Sequence, residues 1–232
     1  MSIGLGDMSS RDQDSMNLSN GGLAYKNSSQ YIPLRDKPQI IPSFEEFPSI
    51  SRLSREMVIT EKIDGTNASV TVLMDGRVVA GSRTRYITVA DDNYGFAKWV
   101  KEHEDVLRVG LGYGVHFGEW WGSGIQRRYG LNEKRFSLFN VGRWTSQLNL
   151  DPLLSPDSTT NCIEVPCCHV VPTLYRGIFD TTLVDKTLLS LSQMGSIASR
   201  GFKNPEGVVV YHEKSRTLFK KTLDKNDGHK GS

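Results

Sequence analysis

The sequence is poor in cysteine and contains no long apolar run. Its three cysteines, Cys162, Cys167 and Cys168, are crowded into one short stretch, so they cannot form the disulfide framework of a small secreted protein. No stretch approaches the roughly 20 apolar residues that a membrane helix needs. The N-terminus lacks the basic cluster followed by an apolar core that marks a secretory signal. We therefore expect a protein of the reducing cytoplasm with no membrane partner.

Two common nucleotide-binding motifs are also missing. No Gly-x-x-x-x-Gly-Lys-Ser/Thr occurs, and Gly110, Gly112 and Gly114 do not have the Gly-x-Gly-x-x-Gly spacing of a dinucleotide-binding loop. The sequence therefore does not support a P-loop kinase. The net charge of +2 permits contact with phosphates but does not predict it, because many proteins of similar charge never bind nucleic acid.

The composition predicts one domain after a short leader. Residues 1–22 are rich in Ser, Asn, Asp and Gly without an apolar period, which is typical of a disordered segment. We expect residues 23–232 to form a single domain, because no internal linker divides them. Residues 32–50 alternate prolines with apolar residues, which predicts an extended strap that lies on the core and ends in a short helix at residues 49–55.

The hydrophobic pattern favours strands over helices. Residues 68–74 and 77–83 read as a hairpin joined by Asp75-Gly76, a pair suited to a tight primed turn. One helix fits residues 92–110, and a second fits residues 180–194, with Asp180 as its N-cap and Gly195 after its end. Because most predicted strands follow one another along the chain as hairpins, we predict an α+β fold of packed antiparallel sheets with peripheral helices. The other predicted strands are residues 57–62, 114–121, 134–141, 163–171, 206–212 and 216–221.

The most informative segment is EKIDGTN at residues 61–67, where a predicted strand ends. A lysine amine becomes a nucleophile only after it loses its proton, which desolvation or nearby cations promote. Lys62 is a candidate nucleophile, and Gly65 would let the backbone approach a phosphate. A bare Lys-x-x-Gly is more often a surface lysine before a turn. The assignment of Lys62 as a nucleophile therefore depends on motifs elsewhere in the chain.

Further blocks follow in the same chain, and together with residues 61–67 they resemble, in this order, the nucleotidyltransferase motifs of covalent ligases and RNA capping enzymes. In that superfamily a Lys-x-Asp-Gly lysine attacks the α-phosphate of a nucleotide and becomes a lysyl-nucleotide. The resemblance covers roughly residues 57–222 and implies the fold of a ligase adenylylation domain. The further blocks are SR at 82–83, FGEWWG at 117–122, FSLFNV at 136–141, PEGVVV at 205–210 and LFKK at 218–221.

The residue types in these blocks suit that chemistry. Arg83 would neutralise the phosphates, although Arg85 faces the same way and only the resemblance selects Arg83. Glu119 would bind ribose hydroxyls, and Glu206 would bind a metal ion or position a metal-bound water. Phe139 would stack on the purine, or it belongs to the core.

The last block supplies a further cation. Related enzymes usually carry Lys-x-Lys here, whereas Lys220 and Lys221 are adjacent and point to opposite faces of a strand. We expect Lys220 to contact the phosphates, with Thr222 on its face. Lys221 or Lys230 is then its possible partner in catalysis.

Two features indicate the branch of the superfamily. DNA ligases and capping enzymes carry Arg where this chain has Asn67, and EKIDGTN resembles instead the RNA ligase 2 class, in its compact phage-type form. Only about 10 residues follow Lys221, too few for the oligonucleotide-binding barrel of DNA ligases or for a joining domain. RNA ligase 2 proteins commonly have His where this chain has Asp64, which is the more general form of the motif.

The resemblance therefore implies an ATP-dependent RNA ligase that uses Mg²⁺ or Mn²⁺, joins 5′-phosphate and 3′-hydroxyl RNA ends, and acts as a monomer. Discrimination of ATP from GTP would come from polar groups around the base, such as Glu61 or its backbone carbonyl. The alternatives are a DNA ligase core without its barrel and an RNA end-binding protein without turnover. The resemblance assigns the nucleotide site to Glu61, Asp64, Gly65, Asn67, Arg83, Glu119, Phe139, Glu206 and Lys220.

Overall fold

The computed structural model describes residues 43–144 and 165–224, together with the backbone of five two-residue strands outside these ranges. The chain divides into two compact units, residues 1–49 and 50–232. Most of the predicted leader, residues 1–22, lies outside the described residues. The end of the leader at residue 22 stays a prediction. In the first unit β1 pairs antiparallel with β2, and β3 with β4. These strands are β1 (Asn17–Leu18), β2 (Leu23–Ala24), β3 (Lys26–Asn27) and β4 (Gln30–Tyr31).

The second unit contains two larger sheets. Its strands are β5 (Glu56–Lys62), β6 (Thr66–Val72), β7 (Val78–Gly81), β8 (Tyr86–Ile87), β9 (Gly114–Gly122), β10 (Lys134–Leu138), β11 (Asn161–Cys162), β12 (Val165–Val170), β13 (Thr173–Ile178), β14 (Gly207–His212) and β15 (Thr217–Thr222). One sheet has the order β11-β12-β10-β9-β6-β7-β8 and the other β13-β5-β14-β15. Neighbouring strands are antiparallel except for β10 and β12. The predicted α+β class is confirmed.

The first helical region differs from its prediction. One helix was expected over residues 92–110, but α1 (Phe96–Glu102) and α2 (Glu104–Leu111) are separated at His103, whose φ of −112° and ψ of 15° leave the helical region. Asp92 stabilises the start of α1. The Asp92 carboxylate accepts hydrogen bonds from the backbone N–H groups of Ala97 and Lys98, at 2.7 and 3.0 Å, from a position before the helix.

The helix over the smaller sheet matches its prediction. It is α4 (Thr181–Met194), and the Asp180 carboxylate accepts a 2.7 Å hydrogen bond from the backbone N–H of Thr182. Gly195 follows the helix as expected. Val184 and Leu191 of α4 are buried against one face of the four-stranded sheet. That face of the sheet is therefore occupied by core. On the other face Val58 is buried in the larger apolar core, and the end of the sheet at Lys62 is left for the site.

The seven-stranded sheet is covered on one face in the same way. Helices α1 and α2 pack on β6, β7 and β12. On β6, Ala68, Val70 and Val72 are buried in the larger apolar core. Because side chains alternate along a strand, Asn67 and its cross-strand neighbour Glu119 project from the opposite face. The short helix α3 (Val141–Trp144) follows β10.

Three local predictions are wrong. Residues 49–55 form no helix, and the side chains of Ile50 and Leu53 are exposed, so the packing that a helix this short needs is missing. The hairpin between β6 and β7 has a longer turn than predicted. The backbone N–H of Leu73 donates to the carbonyl of Arg77, and Gly76 has a φ of +83°, as in a three-residue turn that ends in a left-handed residue. Strand β13 was not predicted, since its sequence does not alternate.

Among the described residues, no helix has the length and apolar character that a membrane crossing requires.

Candidate active site

Lys62 lies at the end of β5, on the face of the four-stranded sheet that α4 does not cover. Its Nζ donates a 2.6 Å hydrogen bond to Oε2 of Glu206, and the two side chains are 24% and 16% exposed. The register explains the contact, because Gly207 is the cross-strand partner of Lys62 and Glu206 directly precedes it. The lysine is thus accessible to a ligand while its charge is balanced by one carboxylate.

Glu119 of β9 binds the turn after Lys62 and the start of β6. Its carboxylate accepts hydrogen bonds from the backbone N–H of Gly65 at 3.0 Å and from Nδ2 of Asn67 at 3.4 Å. Burial raises the pKa of Glu119 to about 7, although nearby Lys62 opposes the rise. Glu206 adds to the rise through its charge. The site therefore holds a carboxyl group whose protonation changes near neutral pH.

Gly65 is required by packing within the protein. A Cβ at this position would stand 2.5 Å from the carbonyl oxygen of Trp120 and 2.7 Å from Cβ of Trp121. The turn at residues 63–65 leads from β5 to β6, and so from one sheet to the other. Glycine allows this turn to lie directly against β9. Its predicted approach to a phosphate stays a prediction.

The two adjacent lysines of β15 lie on opposite faces. Lys220 of β15 lies opposite Val209 of β14, which in turn lies opposite Thr60 of β5. Residues two apart on a strand point to the same face, so Lys220 shares the sheet face of Thr60 and Lys62. Lys221 forms an ion pair with Asp185 of α4 on the other face. The structure brings Lys220 to the Lys62 face and does not bring Lys221 there. Lys230 lies outside the described residues.

Phe139 and Arg83 are both exposed, each beyond the end of a strand of the larger sheet. Phe139 follows β10, is 40% exposed, and its backbone N–H donates to the carbonyl of Phe117. Strand alternation places it on the face of Glu119, so it is available for stacking. Arg83 lies in the loop between β7 and β8, whereas Arg85 is paired with Asp91. The ion pair gives a physical reason to prefer Arg83 for a phosphate.

The carboxylate of Glu61 does not face Lys62. Its side chain is 1% exposed on the α4 side of the sheet, where it accepts hydrogen bonds from the Ser196 hydroxyl at 2.6 Å and from the backbone N–H groups of Ile197 and Ala198, both at 2.8 Å. Burial raises the pKa of Glu61. The carboxylate therefore anchors residues 196–198, and the backbone carbonyl is the remaining way in which Glu61 would contact a base.

Two residues of the site were not among the predicted site residues. The backbone N–H of Asp64 donates a 2.9 Å hydrogen bond to the hydroxyl of Tyr129, and Nε of Arg127 donates to Oδ2 of Asp64 at 2.9 Å. Both residues come from the irregular segment after β9. No short motif marks such contacts, because they join positions that are far apart in the chain.

The carboxylates suit a divalent cation that is shared with a ligand. Mg²⁺ is usually held by one or two carboxylates together with substrate phosphates. Among the described residues, no group of three or more His, Cys, Asp or Glu side chains is arranged as a complete metal cage. Glu206 and Asp64 lie near enough to Glu119 for their charges to raise its pKa. A cation held by Glu206 together with substrate phosphates would fit the shared arrangement.

The buried Glu119 predicts a pH dependence of stability. A carboxyl with a pKa of 4.5 when unfolded and about 7 when folded favours the folded state while it is neutral. This contribution is fully present below about pH 4.5, is lost as the pH rises through about 7, and amounts to about 3 kcal/mol. We expect the free energy of unfolding of Glu119→Gln to fall less than that of the parent between these pH values, as measured by urea denaturation. Glu102→Gln, at an exposed glutamate of α1, is the control, and equal pH profiles for Glu119→Gln and the parent would contradict the prediction.

Comparisons with known proteins identify a family and a similar fold. A model of the RNA ligase family matches residues 55–223. The RNA ligase of Naegleria gruberi, in a mutant structure with AMP and Mn, is 17% identical over 78% of this chain, with a TM-score of 0.50. The same ligase with PPi is 18% identical over 78% of this chain, again with a TM-score of 0.50. In both cases the chain spans 57% of the length of the ligase that it matches.

The sheets and the lysine at their junction therefore define a nucleotidyltransferase-type fold, the class to which the structural likeness also points. The match over residues 55–223 takes in most of the chain. The chain belongs to the RNA ligase family.

Proposed function

We propose that this chain is an ATP-dependent RNA ligase that joins 5′-phosphate and 3′-hydroxyl ends through an AMP group carried on Lys62. The observation that carries the proposal is the position of Lys62, partly exposed at a strand end, 2.6 Å from Glu206 and beside the turn that Glu119 holds. Membership of the RNA ligase family supports the choice of RNA as the substrate.

In the first step the Lys62 amine attacks the α-phosphorus of ATP. A bond forms between Nζ and phosphorus, and the bond from phosphorus to the pyrophosphate oxygen breaks. The amine must give up a proton, and Oε2 of Glu206, 2.6 Å from Nζ, would accept it and release it to water before a cation binds to Glu206. Lys220, on the same sheet face, would stabilise the negative charge on the phosphates.

A divalent cation held by Glu206 would neutralise charge on the phosphates and on the leaving pyrophosphate. The protein's own groups would bind the rest of the nucleotide. Glu119 would accept hydrogen bonds from ribose hydroxyls, and the exposed ring of Phe139 would stack on adenine. AMP would then pass to the 5′-phosphate of an RNA end, and the 3′-hydroxyl would displace it.

The test is incubation with ATP labelled at the α-phosphate, followed by sealing assays on nicked RNA, nicked DNA and single strands side by side. We expect covalent label from ATP and fastest sealing of RNA ends. Equal labelling from GTP would favour a capping-type guanylyltransferase. Preference for nicked DNA would indicate a DNA ligase, and RNA binding without label would indicate an end-binding protein.

Asn67 is predicted to act after Lys62 has been labelled. Its exposed amide lies beside Glu119, where it would donate to a phosphate or ribose oxygen. We expect Asn67→Ala to form the AMP adduct at close to the parent rate but to seal a pre-adenylylated RNA nick about 10- to 150-fold more slowly, because one hydrogen bond to a charged group is lost. The rates of the two steps are measured separately.

Asn132→Ala, at another exposed asparagine, is the control for this experiment and should change neither step. A parallel fall in adduct formation and sealing by Asn67→Ala, with a lower melting temperature, would make Asn67 structural and would contradict the prediction.

A further inference from the structure

Arg127 connects three distant parts of the chain beside the site. Its side chain is 15% exposed. Nε donates to Oδ2 of Asp64 at 2.9 Å, and Nη1 donates to the backbone carbonyls of Asn204 and Pro205 at 3.2 and 3.4 Å. Nη2 forms an ion pair with Asp224. Each nitrogen of the guanidinium is therefore bonded to another part of the protein.

The parts that Arg127 connects carry the reacting groups. Asp64 is two residues after Lys62, and Pro205 directly precedes Glu206. Arg127 thus holds the two backbone segments that bring the Lys62 amine and the Glu206 carboxylate to 2.6 Å. A planar guanidinium with donors in several fixed directions makes such contacts at once, whereas a lysine ammonium does not.

The segment around Arg127 has an unusual backbone. Gln126, Arg128 and Tyr129 have φ values of 43°, 59° and 49°, in the left-handed region that residues other than glycine rarely adopt. Such strain persists only where surrounding contacts hold it. The segment aims two side chains at one residue, since Arg127 bonds the Asp64 carboxylate while the Tyr129 hydroxyl accepts from the Asp64 N–H.

We propose that Arg127 is a positioning residue for adenylylation of Lys62. It acts by fixing the turn after Lys62 and the start of the segment that carries Glu206. Because its donors are used within the protein, its loss should lower the rate of the chemical step more than the affinity for ATP. This inference rests on the proposed function, and the test below separates the two.

The test compares Arg127→Met with Arg128→Met, a matched change at the exposed neighbouring arginine. Single-turnover formation of the AMP adduct is measured against ATP concentration. We expect Arg127→Met to lower the maximal rate about 100-fold, the size of effect that a displacement of about 1 Å at a reacting group produces. The half-saturating ATP concentration should change less than about threefold, and Arg128→Met should stay within about twofold of the parent.

Two milder variants keep the test decisive if Arg127→Met folds poorly. Arg127→Lys keeps the charge but loses the multiple contacts, so we expect about a tenfold loss of rate. Asp224→Asn removes the charge from one contact of Arg127 and should cost about threefold. No further loss is expected when it is combined with Arg127→Lys, because the two residues act through the same contact. Melting temperatures are recorded for every variant.

The proposal is wrong if Arg127→Lys and Asp224→Asn label at the parent rate. It is also wrong if the loss of labelling rate in each variant parallels its fall in melting temperature and the half-saturating ATP concentration rises by the same factor. A residue with a purely structural role would give that result. A parent protein that takes up no label at all would overturn the proposed function and this inference with it. Full labelling of the parent together with unaffected variants would overturn only the role of Arg127.

Discussion

Replacing Lys62 by alanine is expected to abolish the covalent AMP adduct. The amine supplies the nitrogen of the only new bond in the proposed first step, and loss of a nucleophile commonly costs about 10⁴-fold or more in rate. The parent adduct should be stable in base and labile in acid, as a phosphoramidate is. Labelled ATP followed by denaturing gel electrophoresis measures it directly.

Lys62→Arg separates chemistry from folding. Arginine keeps a positive charge opposite Glu206, 2.6 Å from the amine in the parent, but it is not a nucleophile at ordinary pH. We expect it to melt close to the parent and to take up no label. Lys186→Ala, at an exposed lysine of α4, should label fully. Labelling of Lys62→Ala at the parent rate would show that Lys62 is not the nucleophile.

Gly65→Ala is expected to have the next largest effect. The added Cβ would meet the backbone carbonyl of Trp120 at 2.5 Å and Cγ of Glu119 at 3.0 Å, and a backbone carbonyl in the middle of a sheet cannot move aside. The turn must shift instead, which displaces Lys62 and weakens the hydrogen bond from the Gly65 N–H to Glu119. We expect adduct formation to fall about 100-fold and stability to fall by about 1–3 kcal/mol.

Gly142→Ala is the matched control, since its Cβ would meet only the Asn140 side chain, at an ordinary 3.5 Å. It lies in α3, where alanine is the better helix former, so stability should stay level or rise slightly. Adduct formation by Gly65→Ala within about twofold of the parent would show that the turn tolerates a side chain, contrary to the packing argument.

The elements that were predicted well are those with a local cause. Helix α4 has an N-capping aspartate, an apolar stripe and a terminal glycine, and its bounds differ from the prediction by a single residue. The break at His103 is a change in the φ and ψ of one residue, which the apolar pattern of residues 92–110 does not reveal. Strand β13 is an edge strand paired with β5, and its pairing is set by a partner more than a hundred residues away.

The residues of the site also divide into those that local motifs predicted and those that they did not. Lys62, Glu119 and Glu206 stand in short motifs, and the structure brings them together. Strand alternation was enough to separate Lys220 from Lys221. Contacts made across the fold were not predictable, because they depend on which segments the sheets bring together. Examples are Arg127 and Tyr129 at Asp64, and residues 196–198 at Glu61.

The central claim is that AMP carried on Lys62 is passed to RNA. The most direct measurement starts from protein labelled with AMP, freed of ATP, and mixed with nicked RNA in the presence of Mg²⁺. The account predicts that the label maps to the peptide containing Lys62, that it leaves the protein, and that sealed RNA appears in step with its loss. Label on another residue, or label that stays on the protein while the nick remains open, would contradict the account.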